Sequence, residues 1–199
     1  MLFFNPDASQ SLCGNGSRCA VHFAQKLGLA NDKGGFTTTD GLHDYRFVDA
    51  DQVQISMKAV GLVHEMNGLD FVNTGSPHLI VSTENIESID ILEEGRKWRY
   101  DESFAKSGGT NVNFVQEVDS DSVRVRTYER GVEAETLSCG TGVTAVALAK
   151  KKNEKGKHHV KVITEGGILS VTFVRNENGF SNIMLTGPVL EIFEGVYYA

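Results

Sequence analysis

The fold is decided by a motif that occurs twice, as Cys13-Gly-Asn-Gly16 and as Cys139-Gly-Thr-Gly142. Each copy opens a helical segment, and a strand that ends in Thr-acidic-Gly and two further strands follow it. The triplets are Thr39-Asp-Gly41 and Thr164-Glu-Gly166. The cysteines lie 126 residues apart and the triplets 125 residues apart. This agreement of motif, order and spacing predicts an internal repeat of two related halves.

Two segments have helical character, at residues 17–27 and 142–152. The first has Lys26 in its last turn and Gly28 as a candidate C-terminal cap. The second is apolar on every face, which is typical of a buried helix, so we expect strands to surround it. A third, weaker helix is predicted over residues 86–98.

Short runs rich in β-branched and aromatic residues fill much of the rest of the chain, and several alternate between apolar and polar positions. They predict strands at residues 35–39, 44–49, 52–57, 69–73, 78–82, 111–118, 122–128, 159–164, 168–174 and 182–186. The protein is therefore predicted to be rich in β-sheet.

Size and charge restrict the functional class. The chain has 199 residues, 40% of them hydrophobic, which is enough for one large domain or two small ones. Its net charge of -7 disfavours binding to nucleic acid or to acidic membranes. No apolar run is long enough to span a bilayer, and residues 1–5 lack the pattern of a signal peptide. We therefore expect a cytoplasmic protein.

Each repeated cysteine stands where a helix begins. Unpaired backbone N–H groups and the positive end of the helix dipole favour a thiolate there, and the glycines let the backbone approach a carboxylate closely. Two such sites that face each other could remove a proton from one face of a carbon and return one to the other. That reaction inverts a stereocentre without metal or pyridoxal. The alternative is that the glycine turns are structural and the cysteines incidental.

The third cysteine, Cys19, follows Cys13 by six residues inside the predicted helix. This spacing fits neither a C-x-x-C redox motif nor a helical pair of metal ligands. We expect it to pack in the core.

The motifs resemble those of one known family. The segments FFNPDASQSLCGNGSRC (residues 3–19) and YERGVEAETLSCGTG (128–142) are similar to the two active-site segments of diaminopimelate epimerase. TGSPH (74–78) and TNVNFV (110–115) also fit. The resemblance implies an α+β fold with two pseudo-symmetric halves, each a curved, mostly antiparallel sheet around a central helix. It places the first half at residues 1–58, joined by a C-terminal strand at 188–199, and the second at 59–187.

The resemblance also implies roles for individual residues. Cys13 and Cys139 match the catalytic acid/base pair, and Gly14, Asn15, Gly140 and Thr141 match the donors to the reacting carboxylate. Recognition of the distal end of the substrate falls to Asn5, Asn111 and Arg130, together with Ser76. Glu129 matches a carboxylate near the substrate amine, and His78 a histidine near the cysteines. Taken alone, Asn5 could begin a turn, Asn111 could be an exposed strand residue, Glu129 and Arg130 could be a solvated pair, and His78 could be a turn residue.

The sequence departs from the family pattern in three places. Ser76 stands where most members have Asn, and residues 131–135 hold one residue more than in many members. The usual N-terminal stretch with a Gly-Asn-Asp-Phe motif is missing from the sequence, so Met1 is either an internal methionine of a longer protein or the start of a shortened form. We expect the strands of that stretch to cover the first helix, so this chain is expected to be less stable and less active than a complete member.

The implied reaction is interconversion of LL- and meso-2,6-diaminopimelate, a step toward lysine and peptidoglycan, by a homodimer without cofactor or metal. The apolar and aromatic tail at residues 196–198 is compatible with a dimer interface. The alternatives are a proline racemase-like or phenazine-biosynthesis-like isomerase, and a binding module that retains the pocket without activity. Glu129-Arg-Gly131 and Asn15 favour diaminopimelate over proline.

Overall fold

The computed structural model describes residues 1–5, 8 and 10–196. Its three α-helices are α1 (Gly14–Lys26), α2 (Ile91–Arg99) and α3 (Gly140–Lys150), and short 3-10 helices occupy Ile86–Ser88 and Glu102–Ser107. The strands are β1 (Lys33–Thr38), β2 (Gly41–Asp49), β3 (Gln52–Ser56), β4 (His64–Met66), β5 (Leu69–Asn73), β6 (Pro77–Ser82), β7 (Asn111–Asp119), β8 (Ser122–Glu129), β9 (Ala134–Thr136), β10 (Gly156–Thr164), β11 (Gly167–Asn176) and β12 (Gly179–Pro188).

The strands form one continuous hydrogen-bonded sheet in the order β1-β2-β3-β12-β11-β10-β8-β7-β6-β5-β4, with β9 beside β8. All neighbours are antiparallel except β6 with β7 and β8 with β10. The pairing of β12 with β3 joins strands β1, β2 and β3 to the rest of the sheet. The predicted α+β class with a curved, mostly antiparallel sheet is confirmed. The division of the chain near residue 58 stays a prediction.

Helix α3 is enclosed by the sheet. Strands β5, β6, β7, β10, β11 and β12 all contact it, and every residue from Gly140 to Ala149 is buried. Because α3 is apolar on all faces, its burial on every side removes all of its apolar surface from water, as the sequence predicted. Side chains such as Val146 and Leu148 each contribute roughly 1.5–3 kcal/mol by leaving water.

Helix α1 is covered on one side only. Val21 is buried and the helix packs on β3, whereas Phe23 and Leu27 on the outward side are 59% and 55% exposed. The helix ends as predicted, since Gly28 adopts a φ of 70° and its N–H bonds to the carbonyl of Gln25.

The structure corrects the register of the repeat. The residue of the first half that is equivalent to Thr164 is Thr38 and not Thr39, because Thr38 pairs with Gly41 as Thr164 pairs with Gly167. Both glycines have a positive φ, 124° and 127°, which side chains rarely adopt. The helix starts and the hairpins that follow them therefore keep an offset of 126 residues, like the cysteines. The third strands do not, since Tyr45 pairs with Ile55 whereas Val171 pairs with Leu185.

Three other predictions differ from the structure. The third helix is split, because the Asp90 carboxylate accepts the Glu93 N–H at 3.0 Å and begins α2 only there. Cys19 is exposed, not packed in the core, since it lies on the open side of α1. The C-terminal strand expected at residues 188–199 is absent over the described residues 189–196, which form neither helix nor strand. Tyr197 and Tyr198 lie outside the described residues.

Candidate active site

Each repeated cysteine is the N-cap of its helix. Cys13 and Cys139 have extended backbones, with φ near -104° and -113°, and their carbonyls accept the N–H groups of Ser17 and Val143, both at 2.8 Å. The Cys13 sulfur also accepts the N–H of Gly16 at 3.3 Å. Both helices thus begin earlier than the sequence predicted, and both thiols stand at helix N-termini.

The two helix starts touch each other through their first residues. A Cβ on Gly140 would lie 3.3 Å from the Cα of Gly14, and one on Gly14 would lie 3.5 Å from the Cα of Gly140. The Leu185 side chain closes the contact from below, at 3.0 Å and 3.2 Å from these positions. Only glycine allows this approach, which brings both cysteines to one place.

A cleft of about 850 Å³ opens over the two helix starts. It is lined by eleven of the twelve residues that the sequence predicted for the site: Asn5, Cys13, Gly14, Asn15, Ser76, Asn111, Glu129, Arg130, Cys139, Gly140 and Thr141. They come from four separate parts of the chain. The prediction that these parts meet at one site is therefore met by the geometry, while the role of each residue stays a prediction.

The surroundings of Cys139 favour the thiol. Burial, followed by the charge of Glu129, raises the pKa of the Cys139 thiol, against a smaller opposite effect of the Thr141 hydroxyl 3.4 Å away. Cys139 is half-buried and forms part of the wall of the cleft. The Glu129 carboxylate is held by the Thr136 hydroxyl at 2.7 Å.

His78 does not line the cleft but lies directly behind it. Its ring is fully buried, with Nε2 at 3.0 Å from the Thr141 hydroxyl and 2.9 Å from the Ser76 hydroxyl. Burial lowers the pKa of His78 to about 3, and the positive charge of Arg130 adds to this effect. The imidazole is therefore neutral near pH 7.

The hydrogen bonds around His78 define its tautomer. The Asn113 amide nitrogen donates to the carbonyl of Leu79 at 3.0 Å and lies 3.2 Å from His78 Nδ1, while the Thr127 hydroxyl donates to the Asn113 amide oxygen. Nδ1 must then accept, so the proton is on Nε2. Nε2–H can donate to Thr141, whose hydroxyl is left to donate to the Cys139 sulfur.

Two residues predicted to bind the substrate, Asn111 and Arg130, also form hydrogen bonds within the protein. The Asn111 amide donates to the carbonyl of Pro77 at 2.8 Å and accepts the Arg130 backbone N–H at 2.9 Å. The Arg130 guanidinium donates to the carbonyl of Ser107 at 2.7 Å. Asn111 thus holds Arg130 at the mouth of the cleft, and the Asn5 amide bonds to Ser11 at 3.1 Å.

Asn15 connects the two halves. Its amide nitrogen donates to the carbonyl of Ser138, immediately before Cys139, at 2.9 Å, and its oxygen accepts a hydrogen bond from Arg18 at 3.0 Å.

Three residues near the site were not predicted from the sequence: Arg18, Asn113 and Thr74. The Thr74 hydroxyl donates to the carbonyl of Thr141. Asn113 could have been found, because it lies two residues after Asn111 on one strand and so on the same face.

The described residues contain no group of three or more His, Cys, Asp or Glu side chains that could hold a metal ion. No helix among them is long and apolar enough to cross a bilayer. A second hollow, of about 610 Å³, lies on the outer side of α2 and includes neither cysteine.

The fold is shared with solved structures that include an epimerase and a phenazine biosynthesis protein. The structure superposes on hydroxyproline epimerase from Agrobacterium vitis with a TM-score of 0.71 over 94% of this chain and 66% of that one, at 18% identity. It matches a phenazine biosynthesis protein of the PhzF family from Bacillus anthracis with a TM-score of 0.69, over 94% and 76%, at 15% identity.

Sequence comparison identifies the family. The diaminopimelate epimerase family model matches residues 71–191. Diaminopimelate epimerase of Flavobacterium psychrophilum is 41% identical over 196 residues, 98% of this chain and 76% of that protein. The Aquifex aeolicus enzyme is 40% identical over 205 residues, 97% and 72% of the two chains. The chain belongs to the diaminopimelate epimerase family.

Proposed function

We propose that this chain interconverts LL- and meso-2,6-diaminopimelate by proton transfer between Cys13 and Cys139, without a cofactor. The observation that carries the proposal is the contact between Gly14 and Gly140, which sets two cysteine-capped helix starts side by side beneath one cleft. The identity of the substrate is inferred from the family to which the chain belongs.

The helix starts are suited to the reacting end of an amino acid. The first N–H groups of a helix have no partner inside it, so those of α1 and α3 can donate to the α-carboxylate from both sides. When the α-proton leaves, charge accumulates on that carboxylate, where the two sets of backbone donors stabilise it. Arg130 at the mouth of the cleft would bind the distal carboxylate in a bidentate manner.

The proton transfer requires one thiolate and one thiol. The thiolate takes the α-proton and becomes a thiol, while the other thiol gives its proton to the opposite face of the carbon and becomes a thiolate. The substrate gains and loses one proton, and the cysteines exchange states. In the reverse reaction each cysteine has the other role.

Isotope exchange tests this mechanism. In deuterated water, product formed in early turnover should carry deuterium at the α-carbon, whereas recovered starting isomer should carry almost none. Cys13→Ser and Cys139→Ser should each reduce epimerisation drastically, because a hydroxyl is a far weaker acid than a thiol. Cys19→Ser is the matched control and should retain activity, since Cys19 lies on the outside of α1. Substantial epimerisation by both active-site variants would refute the mechanism.

A substrate screen tests the proposed specificity. Diaminopimelate should be epimerised in preference to proline and hydroxyproline, which have no distal amino acid group for Arg130 to bind. Preference for proline or hydroxyproline would instead indicate a proline racemase-like activity.

The absence of a cofactor is tested separately. Thiol alkylation should abolish activity, and treatment with EDTA or hydroxylamine should not.

We also propose that the protein acts in the cytoplasm as a homodimer, as the family resemblance implies. The exposed apolar residues Ile192 and Phe193 near the C-terminus offer area for such a contact. Sedimentation equilibrium would detect the dimer, and a monomer at micromolar concentration would reject it.

A further inference from the structure

A hairpin loop carries Arg130 to the mouth of the cleft. The loop, residues 130–133, joins β8 to β9, and Arg130, Gly131 and Val132 all line the cleft. Loops are generally more mobile than the strands that they join, whereas a side chain that binds a substrate must be held to within about 0.5 Å. The contacts that hold this loop therefore decide how well Arg130 is placed.

The last residue of the loop, Glu133, fixes its shape. The Glu133 carboxylate accepts the backbone N–H of Gly131 at 2.9 Å and the Tyr128 hydroxyl at 3.3 Å. Its own N–H donates to the carbonyl of Glu129 at 2.8 Å. Glu133 has a φ of 58°, in the left-handed region that side chains seldom adopt. The loop thus takes an unfavourable backbone angle at the residue whose carboxylate closes it.

Arg99 connects this loop to helix α2. Its Nε and one terminal nitrogen lie 3.0 Å and 2.9 Å from the same Glu133 carboxylate oxygen, and its other terminal nitrogen donates to the carbonyl of Gly108 at 2.9 Å. The Arg99 side chain is only 12% exposed, so water and salt screen this ion pair less than a pair at the surface. One guanidinium therefore ties the loop after β8 to the turn before β7.

The turn at residues 107–109 receives both arginines. Arg130 donates to the carbonyl of Ser107 at 2.7 Å, and Arg99 donates to the next carbonyl, that of Gly108. Gly108 and Gly109 have φ values of 67° and 86°, and a Cβ on Gly109 would overlap the Arg99 guanidinium, so glycine is needed there. The turn, Arg99 and the loop at 130–133 thus form one connected wall of the cleft.

A second ion pair in the same hairpin provides a comparison. Arg126 of β8 and Glu135 of β9 form two hydrogen bonds of 2.7 Å, and their side chains are 19% and 28% exposed. The pair of Arg99 with Glu133 is buried to a similar degree. Neither Arg126 nor Glu135 is among the described residues that line the cleft. The two pairs are therefore matched in chemistry and burial, and they differ in whether they hold a wall of the cleft.

We propose that Arg99 and Glu133 are positioning residues, which set the affinity for the distal carboxylate by holding the Arg130 loop against α2. The inference rests on the proposed function, because it takes Arg130 as the residue that binds that carboxylate. Proton transfer occurs at the helix starts of α1 and α3, and Arg99 and Glu133 belong to neither. Loss of the ion pair should therefore raise KM and leave kcat nearly unchanged.

The rival role for Arg99 is direct contact with the distal carboxylate, since Arg99 also lines the cleft. Its three guanidinium nitrogens already contact Glu133 or Gly108, which favours the positioning role. A double-mutant cycle separates the two roles. If Arg99 acts through Arg130, its removal from a protein that already lacks Arg130 should have almost no further effect, whereas two independent contacts would multiply their effects on KM.

Steady-state kinetics with diaminopimelate test the inference. Arg99→Met, which keeps the length of the side chain without its charge, should raise KM by about three- to tenfold and change kcat by less than about twofold. Glu133→Gln should act in the same direction. Adding Arg99→Met to Arg130→Ala should change KM by less than about twofold. Arg126→Met is the matched control, which should lower the free energy of unfolding in urea but leave KM unchanged.

Amide hydrogen exchange in the substrate-free protein tests the loop by itself. The Gly131 N–H is held by the Glu133 carboxylate, and Arg99 holds that carboxylate in turn. In Arg99→Met this N–H should exchange about threefold faster or more, because the loop opens more often. In Arg126→Met it should exchange at the wild-type rate.

Three kinetic results would overturn the inference. They are a wild-type KM in Arg99→Met, effects of Arg99→Met and Arg130→Ala that multiply, and an equal rise of KM in Arg126→Met. If Arg99→Met does not fold by circular dichroism, Glu133→Gln takes its place in each comparison. A wild-type chain that does not epimerise diaminopimelate would reject the proposed function alone. The exchange rates would then still decide whether Arg99 holds the loop, and an unchanged rate in Arg99→Met would reject its positioning role.

Discussion

The Cα of Gly14 lies only 3.3 Å from the place where a Cβ on Gly140 would stand, so the two helices that carry the cysteines meet without any side chain between them. Gly14 and Gly140 are equivalent residues of the repeat, and their contact lies on the axis that relates the two halves. The separation of the two cysteine backbones is therefore determined by the packing of the helix starts.

Gly140→Ala should lower kcat more than it lowers stability. The added methyl group would be 3.2 Å from the Leu185 side chain and 3.3 Å from Gly14, so the helix starts must separate by a few tenths of an ångström. We expect a loss of about tenfold or more in kcat and of about 1–3 kcal/mol in the free energy of unfolding. Gly61→Ala, where a methyl group meets open space, is the control. Wild-type kcat in Gly140→Ala would show that the contact does not set the reacting geometry.

Gly142→Ala and its repeat counterpart Gly16→Ala should differ in stability. A methyl group on Gly142 would lie 2.5 Å from the amide oxygen of Asn113 and 3.2 Å from the His78 ring, both of which are buried. On Gly16 it would meet the Cys13 sulfur at 3.3 Å, which can shift into the cleft. We expect urea unfolding to show a loss of about 2–3 kcal/mol for Gly142→Ala and under about 1 kcal/mol for Gly16→Ala. Equal losses would contradict this difference in packing.

His78 should make the protein sensitive to acid. The pKa of its ring is about 3 in the folded protein and about 6.5 in the unfolded chain, so between these values the unfolded chain binds a proton that the folded protein does not. Stability should therefore fall as the pH falls from about 6.5 towards 3, by up to about 1.4 kcal/mol per pH unit, and be unaffected by His78 at higher pH.

His78→Gln should remove that contribution, so its free energy of unfolding should depend less steeply on pH than that of the wild type. Urea titrations at pH 7.5, 6, 5 and 4 would measure the slopes. His159→Gln, at an exposed position of β10, is the control. The same slope in His78→Gln and wild type would mean that the buried ring is protonated in the folded protein.

Arg130→Ala should raise KM for diaminopimelate by about tenfold or more, because a charge-assisted contact to the distal carboxylate is lost. The effect on kcat should be smaller, since the distal group is far from the reacting carbon. Arg124→Ala removes an arginine of β8 that pairs with Glu87 at the surface, and it should leave both constants unchanged. Unchanged KM in Arg130→Ala would remove this residue from substrate recognition.

The repeated cysteine motif was enough to predict the pair of helix starts, because glycine spacing at a helix start restricts the backbone strongly. The runs of β-branched and aromatic residues predicted the sheet-rich fold, and the resemblance to the family implied the eleven residues that line the cleft. Cys19 was placed wrongly, since helical periodicity cannot tell which side of α1 the sheet leaves open. The C-terminal strand at residues 188–199 was implied by the resemblance to the family and not by a residue pattern, and residues 189–196 form no strand. Arg18 was missed because an arginine within a helix has no local signal of burial.

The pairing of β3 with β12 has a consequence for biosynthesis. Residues 52–56 form hydrogen bonds with residues 184–188, so one edge of the first half has no partner until more than 180 residues have left the ribosome. During that interval β3 exposes unpaired N–H and C=O groups next to a hydrophobic surface, and such edges invite association with other nascent chains. We expect the growing chain to depend on chaperones until β12 is made, and to become independent of them abruptly rather than half by half.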